Sequence, residues 1–234
     1  MKITTHKKQK EVWEKEHRKP YVLLQMDSHE PSSGVVLFWE WLKQRVEGIK
    51  LKGLDIACGK GRNAIWLARQ RVEMTGFDFS SVAIKEAKMR TKKEGVSDKV
   101  HFLIHDAAKR WPFPSDTFDF AFDCFASTDI ESYGRRTFAR DECVRVLKPS
   151  GYLLIYTLST DDEFHTEMIA KYPAKERNAF LHPTTGKFEK TFGREELLDF
   201  YKNLRLIEER RIKKKATFFG KEYNCKHFLM IFQK

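Results

Sequence analysis

Hydrophobic and polar positions along the chain fall into two alternating periods. Leu54–Cys58, Val72–Phe77, Val100–Ile104, Phe118–Phe122 and Tyr152–Tyr156 are short apolar runs of buried-strand length, the fourth interrupted by Asp119. Between them Ala64, Ile65, Leu67 and Ala68, then Ala83, Ile84 and Ala87, then Ala139, Cys143, Val146 and Leu147 recur at helical spacing. Strand and helix in repeated succession predict a parallel sheet with helices on both faces. Upstream, Ser32-Ser33-Gly34 introduces Val35, Val36, Phe38, Trp39, Trp41 and Leu42, an amphipathic helix for one of those faces. Downstream, Leu197, Leu198, Tyr201 and Leu204 predict a helix opened by Gly193, followed by strands at Leu206–Ile212 and His227–Phe232. About a dozen residues including Gly220 join those last strands, too few for a helical crossover, so they pair antiparallel. The fold class is α/β: a doubly wound sheet, mostly parallel, with an antiparallel C-terminal strand.

The chemistry sits between the first strand and its helix. Leu54-Asp55-Ile56-Ala57-Cys58 runs into the tight turn Gly59-Lys60-Gly61, and a helix begins directly behind it. Glycines there remove the Cβ that would hold a ligand off the backbone, and the helix start offers unpaired N–H donors. Gly59-Lys60-Gly61-Arg62-Asn63-Ala64 formally fits the dinucleotide pattern G-x-G-x-x-G/A, with Asp78 at about the expected 20 residues onward. Asp55 discriminates. A carboxylate at that strand end opposes a pyrophosphate and suits a ligand bearing an ammonium and a sulfonium, because opposite charges attract strongly in a partly dry site. S-adenosylmethionine is that ligand.

Leu54 through Ala64 resemble motif I of the class I S-adenosylmethionine-dependent methyltransferases, and the Gly-x-Gly-Arg-Asn form is most similar to the tellurite-resistance type of small-molecule methyltransferase. The likeness extends, less specifically, from about residue 33 to the C-terminus and includes Lys148-Pro149-Ser150-Gly151 ahead of the fifth strand. Ala57 stands where glycine is usual, a departure that an ordinary extended or helical backbone would tolerate. The resemblance implies a Rossmann-like fold with Asp55, Ala57, Gly59 and Gly61 around the cofactor, and Arg62 and Asn63 toward the methionine carboxylate. Arg62 could alternatively meet an anionic substrate or form a surface ion pair. It further implies Asp78 and Phe79 at the ribose, Asp106 and Ala107 at the adenine, and Asp123 toward the ammonium. Three strands that end in Asp55, Asp78 and Asp106 agree with this, since an open α/β sheet places its ligand crevice at the carboxyl ends of its strands.

Candidates for the acceptor pocket are Trp13, Tyr21, Phe125, Asp129 and His182. Residues 1–32 form a polar N-terminal segment able to fold back as a lid, ahead of a methyltransferase domain over 33–234. An irregular insertion at about 159–190, with a short helix near Asp161–Ala170, would overhang the methyl group and set substrate choice. No catalytic residue is assigned. A sulfonium leaving group is activated by its own charge, so alignment and desolvation suffice unless the acceptor must lose a proton. His165 and His182 are candidate bases, although loop histidines are more often merely solvated.

Charge and cysteine content narrow the partners. A chain of 234 residues with formal net charge +11 carries much of the excess at its ends, in Lys7, Lys8, Lys10, Lys15, Arg18 and Lys19 and in Arg210, Arg211, Lys213, Lys214 and Lys215. Solvated faces are favoured over a nucleic-acid or membrane footprint. Asp123-Cys124-Phe125-Ala126 also lacks the Asn/Asp/Ser-Pro-Pro-aromatic tetrapeptide common in methyltransferases that act on base amino groups. Cys58, Cys124, Cys143 and Cys225 include no C-x-x-C, which excludes the usual zinc and redox spacings and predicts free thiols and no metal. No apolar run reaches membrane-spanning length, no signal-type segment leads the chain, and acids at Glu11, Glu14 and Glu16 oppose a mitochondrial presequence, so a cytoplasmic protein is expected. The expected activity is methyl transfer from S-adenosylmethionine to a small molecule by in-line displacement. The alternatives are an RNA or protein methyltransferase using the basic ends, a non-catalytic binding module and, more distantly, a nicotinamide oxidoreductase; oligomeric state is open.

Overall fold

The computed structural model describes residues 4–20, 27–46 and 50–234. Five strands form where the apolar runs predict them: β1 (Lys52–Ile56), β2 (Glu73–Asp78), β3 (Val100–Ile104), β4 (Phe118–Cys124) and β5 (Leu147–Leu158). Two further pairs follow, β6 (Ala179–Leu181) with β7 (Phe188–Lys190), and β8 (Arg205–Phe218) with β9 (Lys221–Gln233). The main sheet has the order β3-β2-β1-β4-β5-β9-β8; its first five strands are parallel, and β9 enters antiparallel beside β5. The expected Rossmann-like sheet with an antiparallel C-terminal strand is therefore the observed one.

Alternation along each strand divides the core. In β5, Leu154 and Tyr156 face one layer while Leu153 and Ile155 face the other. The first layer is covered by α2 (Ser33–Lys43), α3 (Arg62–Arg69) and α4 (Ser81–Lys93), the second by α6 (Tyr133–Val146) and α8 (Arg194–Phe200). Each such fully buried side chain contributes about 1.5–3 kcal/mol relative to exposure. Gly34 permits the close approach of α2, since a Cβ there would lie 2.4 Å from the Tyr156 ring.

Three regions differ from expectation. The charge-dense N-terminus holds a regular helix, α1 (His6–Arg18), capped by Thr5, whose side chain accepts from Lys8 N at 3.3 Å. The last two strands are longer than their apolar runs and meet at Phe219-Gly220, both with positive φ (51° and 77°), as a two-residue hairpin requires. Beyond Ile212, β8 is an edge strand on which only Ala216 and Phe218 pack inward, while Lys213, Lys214 and Lys215 are exposed and interrupt the hydrophobic alternation; such charges also discourage edge-to-edge pairing. Inside the insertion, beside α7 (Glu163–Lys171), the three-residue β6 and β7 are too short for a periodic signal. Several basic residues of the C-terminal half are paired: Arg210 with Glu208, Arg211 with Asp161, and Lys215 with Glu222. No described helix is long and apolar enough to cross a membrane.

Candidate functional site

A cavity of ≈ 210 Å³ opens at the carboxyl ends of β1 to β4. Its floor is the turn after β1. Gly61 caps α3 at φ 78°, and a Cβ there would strike the Phe102 ring at 2.5 Å, so this glycine serves the turn and the packing of α3; it is not among the lining residues. Ala57, Gly59, Arg62 and Asn63 do line the cavity. Ala57 has φ 52°, in the left-handed region, so the ordinary extended or helical backbone expected there is not what forms. An L-residue in that region costs about 1–2 kcal/mol. Asn63 Oδ1 accepts from Ser32 N at 2.8 Å and ties the start of α2 to the site.

The three strand-end acids converge as expected. Asp55 is 1 % exposed, and its Oδ2 has no hydrogen-bond partner among the described residues. Burial pushes its carboxyl well above the usual range; the Ala64 N–H opposes this and the Asp78 charge adds to it. Asp78 accepts from Gly59 N at 3.0 Å and Ser80 N at 2.8 Å, and so fixes the glycine turn and the entry to α4. Asp106 accepts from Ala108 N at 3.0 Å and from His6 Nε2 at 2.7 Å, with Lys10 Nζ 3.7 Å away. Burial alone would raise Asp106, but these partners hold it below the usual carboxylate range. Phe79 and Ala107 complete this wall, with Lys10 Nζ 5.4 Å from the Phe79 ring centre.

Asp123 is placed differently. Both its oxygens receive the Ser127 N–H, at 3.1 and 3.2 Å, capping the single turn α5 (Ala126–Asp129), and it is absent from the cavity wall. Burial raises it to about 6. Of the acceptor-side candidates, Trp13, Phe125 and Asp129 line the cavity. Phe125, at φ 66°, sets its ring against Tyr156 and His227, with centroids 4.8 and 5.1 Å apart. His182 does not line it: its Nδ1 accepts from Thr184 N and Thr185 N, both 3.3 Å, in the turn between β6 and β7. His165 is buried between Asp162 and Glu189 rather than solvated. Tyr21 lies outside the described residues.

Sequence reasoning missed most of the roof. Lining residues His6, Gln9, Trp13 and His17 project from one side of α1, which crosses the cavity mouth. At one side Glu14 accepts from Ser81 N at 2.9 Å and Ser80 Oγ at 3.1 Å at the start of α4. At the other, Gln9 is 1 % exposed; its Nε2 donates to Gly186 O at 2.8 Å and its Oε1 accepts from Phe188 N at 2.9 Å. Burial keeps His17 below the ordinary histidine range, hence neutral at pH 7. The face is helical in spacing but polar in composition, and a search for apolar periodicity passes over it.

The residues present fit S-adenosylmethionine. An unpartnered, fully buried carboxylate oxygen needs a cation or a donor, and the cofactor's ammonium is one. Asp78 keeps lone pairs beyond its two backbone bonds for hydroxyls, and Asp106 is an ionised acceptor at the far end.

Comparison with known proteins agrees over the same segment. Residues 54–151 match the family model described as methyltransferase domain. Demethylmenaquinone methyltransferase of Lactiplantibacillus plantarum is 32 % identical over 130 residues, which cover 53 % of this chain and 53 % of that protein. The solved S-adenosylmethionine-dependent methyltransferase of Methanosarcina mazei superposes with TM-score 0.72 at 24 % identity, over 82 % of this chain and 96 % of that one. The 1,6-didemethyltoxoflavin-N1-methyltransferase of Burkholderia thailandensis, solved with 1,6-didemethyltoxoflavin and S-adenosylhomocysteine bound, gives TM-score 0.69 at 13 % identity, over 100 % and 92 %. At these identities the two structures show the fold alone. Matched segments cover 36 %, 53 % and 64 % of the length of the first curated relatives. Strand order, glycine turn, converging acids and the family match over residues 54–151 together support a methyltransferase domain of the class I, S-adenosylmethionine-dependent kind.

Proposed function

We propose that this chain is an enzyme that transfers the methyl group of S-adenosylmethionine to a small-molecule nucleophile by in-line displacement beneath a lid formed by α1. The observation that carries the reading is Asp55 Oδ2, buried and without a partner among the described residues, on the wall of a cavity bordered by Asp78 and Asp106. When bound, S-adenosylmethionine supplies a methyl group on positively charged sulfur. Asp55 holds the ammonium, Asp78 the ribose hydroxyls, and Asp106 with the Ala107 N–H the adenine. Arg62, at the start of α3, takes the carboxylate. Trp13 and Phe125, both on the cavity wall, give the acceptor side an aromatic lining that excludes water. Two of the compared proteins are named for small-molecule acceptors, which supports that substrate class, while Gly59-Lys60-Gly61-Arg62-Asn63 supports the narrower tellurite-resistance type.

Calorimetric titration with S-adenosylmethionine, S-adenosylhomocysteine and NADPH tests the cofactor. Both adenosyl ligands are expected to bind and NADPH not to. Asp78→Ala is expected to weaken them by about 100-fold, because it removes an acceptor and unfastens the Gly59 turn. NADPH binding alone would overturn the reading. Incubating the protein with methyl-labelled cofactor and a cell metabolite extract then identifies the acceptor, and label appearing only in RNA or protein would move the acceptor to those classes.

A further inference from the structure

Behind the acceptor side of the cavity lies a row of buried charges that cofactor binding does not use. Asp129, at the end of α5, lines the cavity and keeps 19 % of its side-chain surface open. Lys187 Nζ stands 3.3 Å from Asp129 Oδ1, is 2 % exposed, and also pairs with Glu189 of β7. Glu189 Oε2 lies 2.9 Å from His165 Nε2, and His165 Nδ1 lies 2.6 Å from Asp162 Oδ1. Asp162 is anchored in turn by the Lys226 N–H at 2.8 Å. The row alternates in sign from the cavity into the insertion: Asp129, Lys187, Glu189, His165, Asp162. Trp13 of α1 closes it from above, with Lys187 Nζ 4.7 Å from its ring centre.

Such a row is costly to bury and unnecessary for holding a neutral ligand. It differs from the cofactor acids in its cation: Lys187 beside Asp129 is 2 % exposed, whereas Lys10 beside Asp106 is 38 % exposed. Three charges face Asp129 from the surrounding elements, Lys187 before β7, Glu189 in β7 and Asp123 in β4. Burial raises its carboxyl, Lys187 opposes this, and Glu189 and Asp123 add to it, leaving the group at about 7. His165 is held protonated, at about 9: burial disfavours its charge, but Asp162 and Glu189 outweigh it. Glu189 is kept ionised by Lys187 and His165 despite its burial. The inner members of the row therefore have fixed charge at neutral pH, and Asp129 is the member that can change.

We propose that Asp129 takes the proton from the nucleophilic atom of the methyl acceptor, with Lys187, Glu189 and His165 as positioning residues that hold it ready. This rests on the methyltransferase reading. The acceptor's O–H or N–H proton passes to the Asp129 carboxylate, the electron pair left on that atom forms the new bond to the methyl carbon, and the carbon–sulfur pair stays on sulfur, whose positive charge is cancelled. The acceptor class that follows is a neutral hydroxyl or N–H compound that is not already ionised in water.

Two measurements on the full chain test this. In the first, the carboxyl carbon of Asp129 is followed by NMR in aspartate-labelled protein and assigned by Asp129→Asn. A midpoint near neutrality, moved to lower pH by Glu189→Gln because a nearby negative charge is removed, supports the proposal; an ordinary aspartate titration overturns it. The second supplies S-adenosylmethionine with phenol, which is not ionised at neutral pH, or thiophenol, which largely is. Asp129→Asn is expected to lose phenol methylation by about 100-fold or more, the range of general base catalysis, while keeping thiophenol methylation within about threefold. Glu189→Gln should move the acid limb of the phenol profile to lower pH. Equal loss on both probes, no loss on either, or wild-type protein that methylates neither overturns the proposal. S-adenosylhomocysteine binding, retained in Asp129→Asn, separates these outcomes from failure of the methyltransferase reading, in which wild-type protein would not bind it.

Discussion

The two walls of the cavity are built on opposite principles. The cofactor wall is local and backbone-centred: a strand, a glycine turn and a helix start within 19 residues (51–69), joined by acids at the ends of the next two strands. Most of its partners are backbone N–H groups, as where Asp78 receives Gly59 and Ser80 and Asp106 receives Ala108, with His6 of α1 at Asp106 as a side-chain exception. The acceptor wall is assembled from three segments far apart in the chain, α1, α5 and the β6–β7 hairpin, and is held by side chains, the Gln9 amide and the Lys187 charge among them. A wall of backbone donors can serve one ligand with little help from the rest of the chain. A wall of paired charges exists only when every partner arrives, and it can be retuned by exchanging one of them.

The sharpest way to break the comparison is Lys187→Met. Removing the cation leaves Asp129 and Glu189 facing each other with no partner between them, and breaking a buried pair in this way typically costs about 3–5 kcal/mol. Urea unfolding should show that loss, while adenosyl-ligand affinity in the protein that remains folded should change little. Equal damage to both would mean that the walls are one cooperative unit.

A pH series sharpens it next. His165 is raised from 6.5 to about 9, so its contribution to stability is fully present below pH 6.5 and is lost as pH rises through about 9. Asp129, raised from 3.8 to about 7, acts in the same direction, with its contribution gone above about 7. Denaturant midpoints should fall between pH 7 and 9 with a slope of up to about 1.4 kcal/mol per pH unit for one proton. His165→Gln, though less stable throughout, should show a flatter dependence there. A slope unchanged by the substitution would place the titration elsewhere.

The smallest expected effect belongs to the other wall. Ala57→Gly relieves a left-handed alanine at φ 52° and should stabilise by about 1 kcal/mol at most, offset in part by the greater freedom of glycine in the unfolded chain. It should leave Asp129 titration untouched. No gain in melting temperature would mean that the turn is not strained by its Cβ.

Particular residues show why one wall could be read and the other could not. Asp55, Asp78 and Asp106 were legible because each ends an apolar run, and the pleat of a parallel sheet brings such ends to one edge. Asp123 has the same position in its strand, yet it caps α5, because a helical turn starting three residues later offered it a closer N–H. Ala57 could not be read either, since its left-handed backbone is imposed by the turn around it and leaves no mark on residue type. On the acceptor side, Gln9 is fully buried for the sake of two backbone groups nearly 180 residues away, and Lys187 and Glu189 look in sequence like any solvated alternation of charge.

What the sequence by itself determined was the sheet, its antiparallel close, the glycine turn and the identity of the cofactor, all products of short-range periodicity and of backbone geometry that few residue types can satisfy. Tertiary structure alone decided that the charged N-terminus is a regular helix whose polar face lines the cavity, that the insertion carries a hairpin bound to it, and that Asp129 stands before a row of fixed charges. Polar side chains carry no periodic signal for the partners that make their burial tolerable. Those partners are found only when distant segments meet, because burial of a charge is decided by what surrounds it and not by what precedes it in the chain.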